Sequence, residues 1–470
     1  MSPVLFALYL EPLCRTILND SNITGFSFAD TSLKVLAYAD DLTLVGASRE
    51  EIRQGVQHVM DFCKVSGAKV NREKCAGAWL GAWDLKPTTF LEVKWTSEII
   101  SYLGVCFNTA NLQNGQNAIR SGTLAAKVQQ WHGRTVPLMN RAFVCNTVFF
   151  PAIWYSAQVM PCLPAQVNRV HRFCATYIWE SRFERMRRSN LFLSKAKGGL
   201  GLVNVEIKLK VHRYLFFKNQ THHIIRHSFK QLGGGYLSEW IEGAQGVPRA
   251  RTLKFYREVE QAARFFEQRF SQEYLKNVKR KSLYWNTIDM LFPPPLYRSR
   301  VGSQLESDVF KRLPKYPVKT AIKDFFVRLH VEVLPVKTWL RNKGFFVPWS
   351  TDGPLCPYPE SLQHVFLFCT NAVLFSHNIR IVFDVQIYPN WDNVKYLTLE
   401  DDKNNSAETL LLLGLYAIWR SRTDYVLALE NAKPAWTHFC DAFAYTSSLL
   451  GGEDEFSKRW QVWQKRLQQR

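Results

Sequence analysis

Between Leu36 and Val45 the chain reads Leu-Ala-Tyr-Ala-Asp-Asp-Leu-Thr-Leu-Val, two short apolar runs meeting at Ala39-Asp40-Asp41. This pattern predicts two strands joined by a tight turn. Any fold that accepts the segment must set adjacent carboxylates at a strand-turn-strand tip. Such groups repel each other unless a cation neutralises them, and hard cations such as Mg2+ take carboxylate oxygens. Two Mg2+ ions there would activate a 3′-hydroxyl and stabilise a leaving pyrophosphate. The competing reading is a solvated Asp-Asp turn.

The flanking sequence predicts an α+β piece followed by an α-rich one. Ser2-Pro3 opens a helix in which Leu5, Leu8, Tyr9, Leu13 and Ile17 recur at helical spacing. Glu50 to Val65 is an amphipathic helix, Asn71–Leu85 and Leu91–Phe107 read as strands, and from Ser121 onward the periodic segments are helical. Ala142 to Asn168 carries no charge, but Pro151 and Pro161 break it into a buried helix pair rather than a membrane span. Leu410 to Trp419 is a core helix, too short to cross a bilayer. The run Pro293-Pro294-Pro295 marks a domain boundary. At 470 residues the chain has room for two or three domains.

Charge divides unevenly. Residues 1–61 hold four basic and eight acidic side chains, whereas 165–230 hold fourteen basic and three acidic ones, within a total of +20. A one-sided basic field draws polyanions, with nucleic acid the first partner to consider. Arg169, Arg172, Arg182, Arg185, Arg187, Arg188, Lys195 and Lys197 alternate with Phe173, Tyr177, Trp179 and Phe183, a composition suited to phosphate contacts and base stacking. The bland counterpart is a solvated basic face over an aromatic core. Ten scattered cysteines without a CxxC pair, and an N-terminus lacking a basic export region, predict a reducing intracellular location, nuclear or cytoplasmic, and no secretion.

Tyr38-Ala39-Asp40-Asp41 resembles the YxDD box of reverse transcriptases, and its neighbours resemble those of LINE-type (non-LTR) retrotransposons. Ser2 to Leu13 resembles the end of the family's QGxPxSP motif and its helix. Gly67-Ala68-Lys69-Val70-Asn71-Arg72-Glu73-Lys74-Cys75 resembles G-x-x-[IVL]-N-x-x-K-[ST]. Tyr102-Leu103-Gly104-Val105 resembles the element entering the thumb. Trp131, Leu138, Arg141, Trp154-Tyr155 and Lys197-Gly198-Gly199-Leu200-Gly201-Leu202 follow in the family's order.

The resemblance implies a partial palm over 1–110, with a β-hairpin carrying Tyr-Ala-Asp-Asp and flanking helices. A helical thumb over 111–235, a basic connector over 236–320 and an α-rich C-terminal segment over 321–470 would follow. It implies RNA-directed DNA synthesis with Mg2+ at Asp40 and Asp41 and Lys74 at the triphosphate. Tyr38 would lie by the primer end or incoming nucleotide, or be simply a strand aromatic. Tyr102 and Gly104 would stand in the primer grip, or form a rigid β-turn, and the basic residues above would lie on RNA template and DNA primer. Deoxynucleoside triphosphates would be the substrates. The chain begins inside the QGxPxSP-like motif, and Asp30 lies where the family's further essential aspartate cannot be. The expectation is therefore little or no polymerase activity from the chain alone, the alternative being a non-catalytic nucleic-acid-binding remnant.

Near the other end, Cys356-x7-His364-x4-Cys369 has metal-ligand types at finger-like spacing. It resembles the family's CxxC-x7-H-x4-C knuckle, with Pro359 at the place of the second cysteine. Three ligands make an incomplete Zn2+ site, His377 being a weak replacement. His223 and His227, four apart, read as a polar helix face rather than a metal pair.

Overall fold

The computed structural model describes residues 3–28, 31–108, 121–232, 253–295, 309–348, 350–399, 405–452 and 454–469; Ser2 and Asp30 lie outside them. It is α+β, with every described strand element before residue 109 and helices thereafter. Two compact units interleave along the chain: 1–120, 153–166 and 206–283 form one, and 121–152, 167–205 and 284–470 the other. No described helix is long and apolar enough to cross a membrane.

In the first unit, α1 (Pro3–Asn19) is followed by the hairpin β1 (Phe26–Phe28) and β2 (Thr31–Leu33), then the hairpin β3 (Val35–Tyr38) and β4 (Asp41–Leu44). Helix α2 (Arg49–Ser66) starts at Ser48, whose hydroxyl accepts from the Glu51 N–H, and ends at a left-handed Gly67. Leu13, Ile17 and Ile23 pack with Val35, Leu42, Leu44, Val59 and Phe62, so one face of the β3–β4 hairpin is clamped by the two helices. The expected strand at Asn71–Leu85 shrinks to β5 (Ala76–Ala78), because Asn71 caps a short turn over Arg72–Lys74. Strand β5 runs parallel to β7 (Val93–Thr96), which also pairs antiparallel with β6 (Thr89–Phe90).

Leu91–Phe107, expected as extended chain, is broken twice. Leu91 and Glu92 both have positive φ between β6 and β7, and Leu103 and Gly104 both have positive φ between β8 (Ile99–Tyr102) and β9 (Val105–Asn108). Two consecutive positive φ values are those of a type I′ hairpin turn, which normally announces itself as Asn-Gly or Asp-Gly. Only Gly104 carries that signal. Helices α5 (Pro151–Ser156) from Ile153, α8 (Val205–Lys218) from Glu206, α9 (His223–Leu232), α10 (Lys254–Glu267), α11 (Gln272–Asn277) and the start of α12 (Arg280–Leu291) belong to this unit. On α9, His223 Nε2 lies 2.9 Å from Thr31 Oγ1 and His227 packs edge-on against Phe28, so both histidines serve packing.

The second unit holds α3 (Ser121–His132), α4 (Leu138–Val144) with a π turn at Cys145–Phe149, α6 (Pro164–Trp179) from Val167 onward and α7 (Arg188–Phe192). Buried Arg141 ties this region together, donating to Val136 O and Ile178 O at 2.9 Å each and pairing with Glu180 at 2.7 Å. Further on come α13 (Val309–Arg312), α14 (Thr320–His330), α15 (Lys337–Asn342), α16 (Thr370–Phe383) and α17 (Trp391–Tyr396). Helices α18 (Ser406–Val426), α19 (Ala435–Ser448) and α20 (Glu455–Gln468) end the chain. The apolar run 410–419 is interior as expected, with Leu410, Leu412, Leu413, Leu415, Ala417 and Ile418 all buried. Phe383, Phe439, Phe443 and Trp460 form an aromatic cluster in the same unit, with Phe443 and Trp460 stacked.

Candidate functional site

Strand alternation decides which residues of the β3–β4 hairpin face outward. Tyr38 pairs with Asp41 and Leu36 with Thr43, whereas Val35 and Ala37 pair with Leu44 and Leu42 on the face packed against α1 and α2. Tyr38 and Asp41 therefore stand on the outer face, and Tyr38 is 67% exposed. Ala39 and Asp40 form a two-residue loop with positive φ at Ala39 alone, as in a type II′ turn. Glycine suits that first position, and alanine there stores about 1 kcal/mol of backbone strain. Asp40 and Asp41 are both exposed at the tip. Carboxylate oxygens are the right donors for Mg2+, which takes one or two protein carboxylates beside phosphate and water. Among the described residues no third acidic, histidine or cysteine ligand gathers with this pair.

Lys74 ends the short turn capped by Asn71, whose side-chain oxygen accepts from the Lys74 N–H at 3.3 Å, and it reaches solvent. The Asn and Lys of the motif are thus linked by local capping. Tyr102 is half-buried at the end of β8, and Gly104 is exposed in the following turn. The Tyr155 hydroxyl donates to Leu103 O and holds this turn from α5. Tyr155 is a landmark in the sequence, but the fifty-two residues between it and Leu103 leave no local signal for this role.

The basic segment divides in two. Arg169, Arg172, Arg182 and Arg187 are exposed and pair with no described carboxylate. Lys195 is exposed as well. Arg188 is held by Glu184, Lys197 pairs with Asp289 at 2.8 Å, and Arg185 is half-buried, its pKa lowered by burial and then by Arg328. The stacking expectation fails for two aromatics: Tyr177 and Trp179 are 4% and 2% exposed and belong to the core. Phe183 packs against Trp339 and Phe345. On α6 the apolar stripe and the basic stripe occupy different faces, an arrangement that interleaved sequence conceals.

Cys356, His364 and Cys369 come together, their ligand atoms within 4.8 Å of one another. Cys356 sits in a loop closed by the Asp352–Pro359 bridge, with Gly353 N donating to Tyr358 O and Glu360 N to Thr351 O, both at 2.8 Å. His364 opens a π turn, and Cys369 N donates to His364 O at 2.7 Å, so the x4 spacing spans one wide turn. His364 Nε2 is 2.8 Å and Cys369 Sγ 3.8 Å from Cys356 Sγ. Burial, and then the Cys369 thiol, raise the Cys356 pKa, so a cation binding here displaces protons. Two sulfurs and an imidazole suit Zn2+, with a fourth ligand still to be supplied. His377 is exposed on α16 and does not join the cluster.

Glu360, directly after Pro359, is 1% exposed. Its oxygens accept from Arg422 Nε at 2.7 Å, Arg422 Nη2 at 2.6 Å and Lys337 N at 2.8 Å. This clasp fastens the Cys/His loop to α18. In the sequence its one signal is a lone acid inside an otherwise apolar, metal-ligand-bearing segment.

Residues 1–107 match the family model described as reverse transcriptase (RNA-dependent DNA polymerase). The chain is 25% identical over 230 residues to the uncharacterized 149 kDa protein of transposon TX1 from Xenopus laevis, covering 46% of this chain and 17% of that protein. It is 26% identical over 167 residues to the retrovirus-related Pol polyprotein from type-2 retrotransposable element R2DM of Drosophila melanogaster, covering 33% of this chain and 15% of that protein. The matched part is thus a small fraction of either relative's length.

Proposed function

We propose that this chain, a relative of LINE-type (non-LTR) retrotransposon reverse transcriptases, carries part of an RNA-directed DNA polymerase site. The observation that carries the reading is the β3–β4 hairpin, which holds Asp40 and Asp41 at an exposed tip with Tyr38 beside them. Asp40 and Asp41 would hold Mg2+, which when bound activates a primer 3′-hydroxyl and stabilises pyrophosphate. Lys74 would meet the triphosphate of an incoming deoxynucleotide. Tyr102 and Gly104 would support the primer strand, their turn braced by Tyr155. Arg169, Arg172, Arg187 and Lys195 would contact phosphates of RNA template and DNA primer, with Arg185, Arg188 and Lys197 in supporting positions.

The chain by itself is expected to extend a primer no better than its Asp40→Asn variant. The support is that no third carboxylate gathers with the pair among the described residues. Primer extension on poly(rA)/oligo(dT) checks this, and Asp40-dependent synthesis overturns the expected inactivity. A non-catalytic nucleic-acid-binding role is the second reading, favoured by the unpaired arginines of α6 and the loop after it. RNA affinity that fails to drop steeply with salt would sink that role.

For the Cys/His cluster we propose one Zn2+ per chain at Cys356, His364 and Cys369. Unfolding free energy is expected to rise by about 3 kcal/mol at free zinc a hundredfold above its Kd. Cys369→Ser should abolish that gain; metal analysis showing no retained zinc would refute the assignment. Ten free cysteines support a reducing compartment, nuclear or cytoplasmic.

A further inference from the structure

Within the first unit, cations gather where no carboxylate answers them. Lys208 and His212 lie one turn apart on α8 and both face Trp154 of α5. The Lys208 ammonium stands 4.1 Å from the indole centroid, and the His212 ring centre lies 6.1 Å from it. The positive charge of Arg280, at the start of α12, acts on both. Neither Lys208, His212 nor Arg280 pairs with a carboxylate among the described residues. The neighbouring acids are taken: Glu206 by Lys210, and Glu258 by Arg213 at 3.0 Å.

The His212 Nε2 atom is buried without a hydrogen-bond partner. Burial, and then Arg280, Lys208 and Arg213, push the His212 pKa down to about 4, and burial followed by Arg280 lowers Lys208. A buried polar atom without a partner, facing like charges, is costly in a free protein. An anion would remove both costs.

We propose that Lys208, His212 and Arg280 form a phosphate-binding site on the flank of Trp154. Phosphate fits the donor set: ammonium as a point charge, guanidinium as a planar fork and an imidazole nitrogen. The phosphate comes from a nucleic-acid backbone or from free pyrophosphate. The inference stands on these side chains and is independent of the polymerase reading, because Asp40 and Asp41 take no part in it.

The test uses the full chain with two probes, a fluorescein-labelled oligo(dT) strand and sodium pyrophosphate. In the Lys208→Gln/Arg280→Gln double variant, oligo(dT) affinity at low salt should fall about tenfold or more, and the log-log salt slope should become shallower by about one per charge removed. Lys208→Arg should retain binding. Arg280→Gln alone should leave the unfolding midpoint unchanged or raise it by about 2 °C, since it relieves repulsion. Loss of pyrophosphate binding with intact oligo(dT) binding supports the site and assigns it to the free anion. If both probes bind the double variant as they bind the parent, the site is refuted. Loss of binding together with a fallen midpoint in Arg280→Gln also refutes it, because the residues then serve packing. Absence of oligo(dT) binding by the parent chain would count against the nucleic-acid reading, while pyrophosphate still decides the site.

Discussion

Replacing Arg422 with alanine is expected to lower the unfolding free energy by about 3–5 kcal/mol, because it strands the Glu360 carboxylate in the interior. That carboxylate is 1% exposed and, among the described residues, would keep only the Lys337 N–H as a partner. The guanidinium also lies over the Trp419 ring, at 4.9 Å from its centroid, so packing is lost with the charge. Arg422→Leu combined with Glu360→Leu should be milder than Arg422→Leu alone, since removing both partners leaves no buried charge. Denaturant midpoints of the single and double variants check this. A single-variant loss below about 1 kcal/mol would show that water reaches Glu360 and that the clasp is weak. The same variant should also weaken the proposed zinc binding, because Glu360 anchors the loop between Cys356 and His364.

Gly199→Ala should be nearly as damaging, at about 3 kcal/mol or more. A Cβ at Gly199 would lie 2.1 Å from Leu193 O and 2.6 Å from Asn190 O, both backbone atoms. The nearer of the two is not free to retreat, since Leu193 O accepts from Gly201 N at 2.9 Å, and the bond from Leu202 N to Leu191 O at 2.9 Å ties the same segments together. By contrast Gly104→Ala meets only the edge of the Tyr155 ring at 3.6 Å and suffers chiefly from its positive φ. Its cost should stay near 1 kcal/mol. Thermal unfolding of the two variants separates a close approach from a conformational demand. Equal losses would mean that the 198–201 segment yields where the structure shows it closed.

Much of the hairpin site was legible in sequence because its determinants are local. The apolar alternation of Val35–Leu44 sets the faces, and Ser48 and Gly67 bound α2. What escaped depends on partners far along the chain or on turns without their usual residues. Leu91-Glu92 bends the backbone without the Asn-Gly signal, so extended chain was expected where a hairpin forms. At Leu103-Gly104 the glycine carries part of the signal, and a tight turn was one of the readings. Tyr177 and Trp179 looked available for stacking because spacing alone does not say which side of α6 meets the core. Arg188 and Lys197 looked available for phosphate until their ion pairs were seen. The Cys/His cluster was read from spacing, but Glu360–Arg422 spans sixty-two residues and required the fold.

The interleaving of the two units bears on how such a gene can be cut and joined. A breakpoint anywhere from about residue 122 to 282 divides both units at once, since each has segments on either side of it. Neither unit is therefore exchangeable as a cassette by a single recombination event. Lineages that swap this region must exchange it whole or rebuild the packing of both halves.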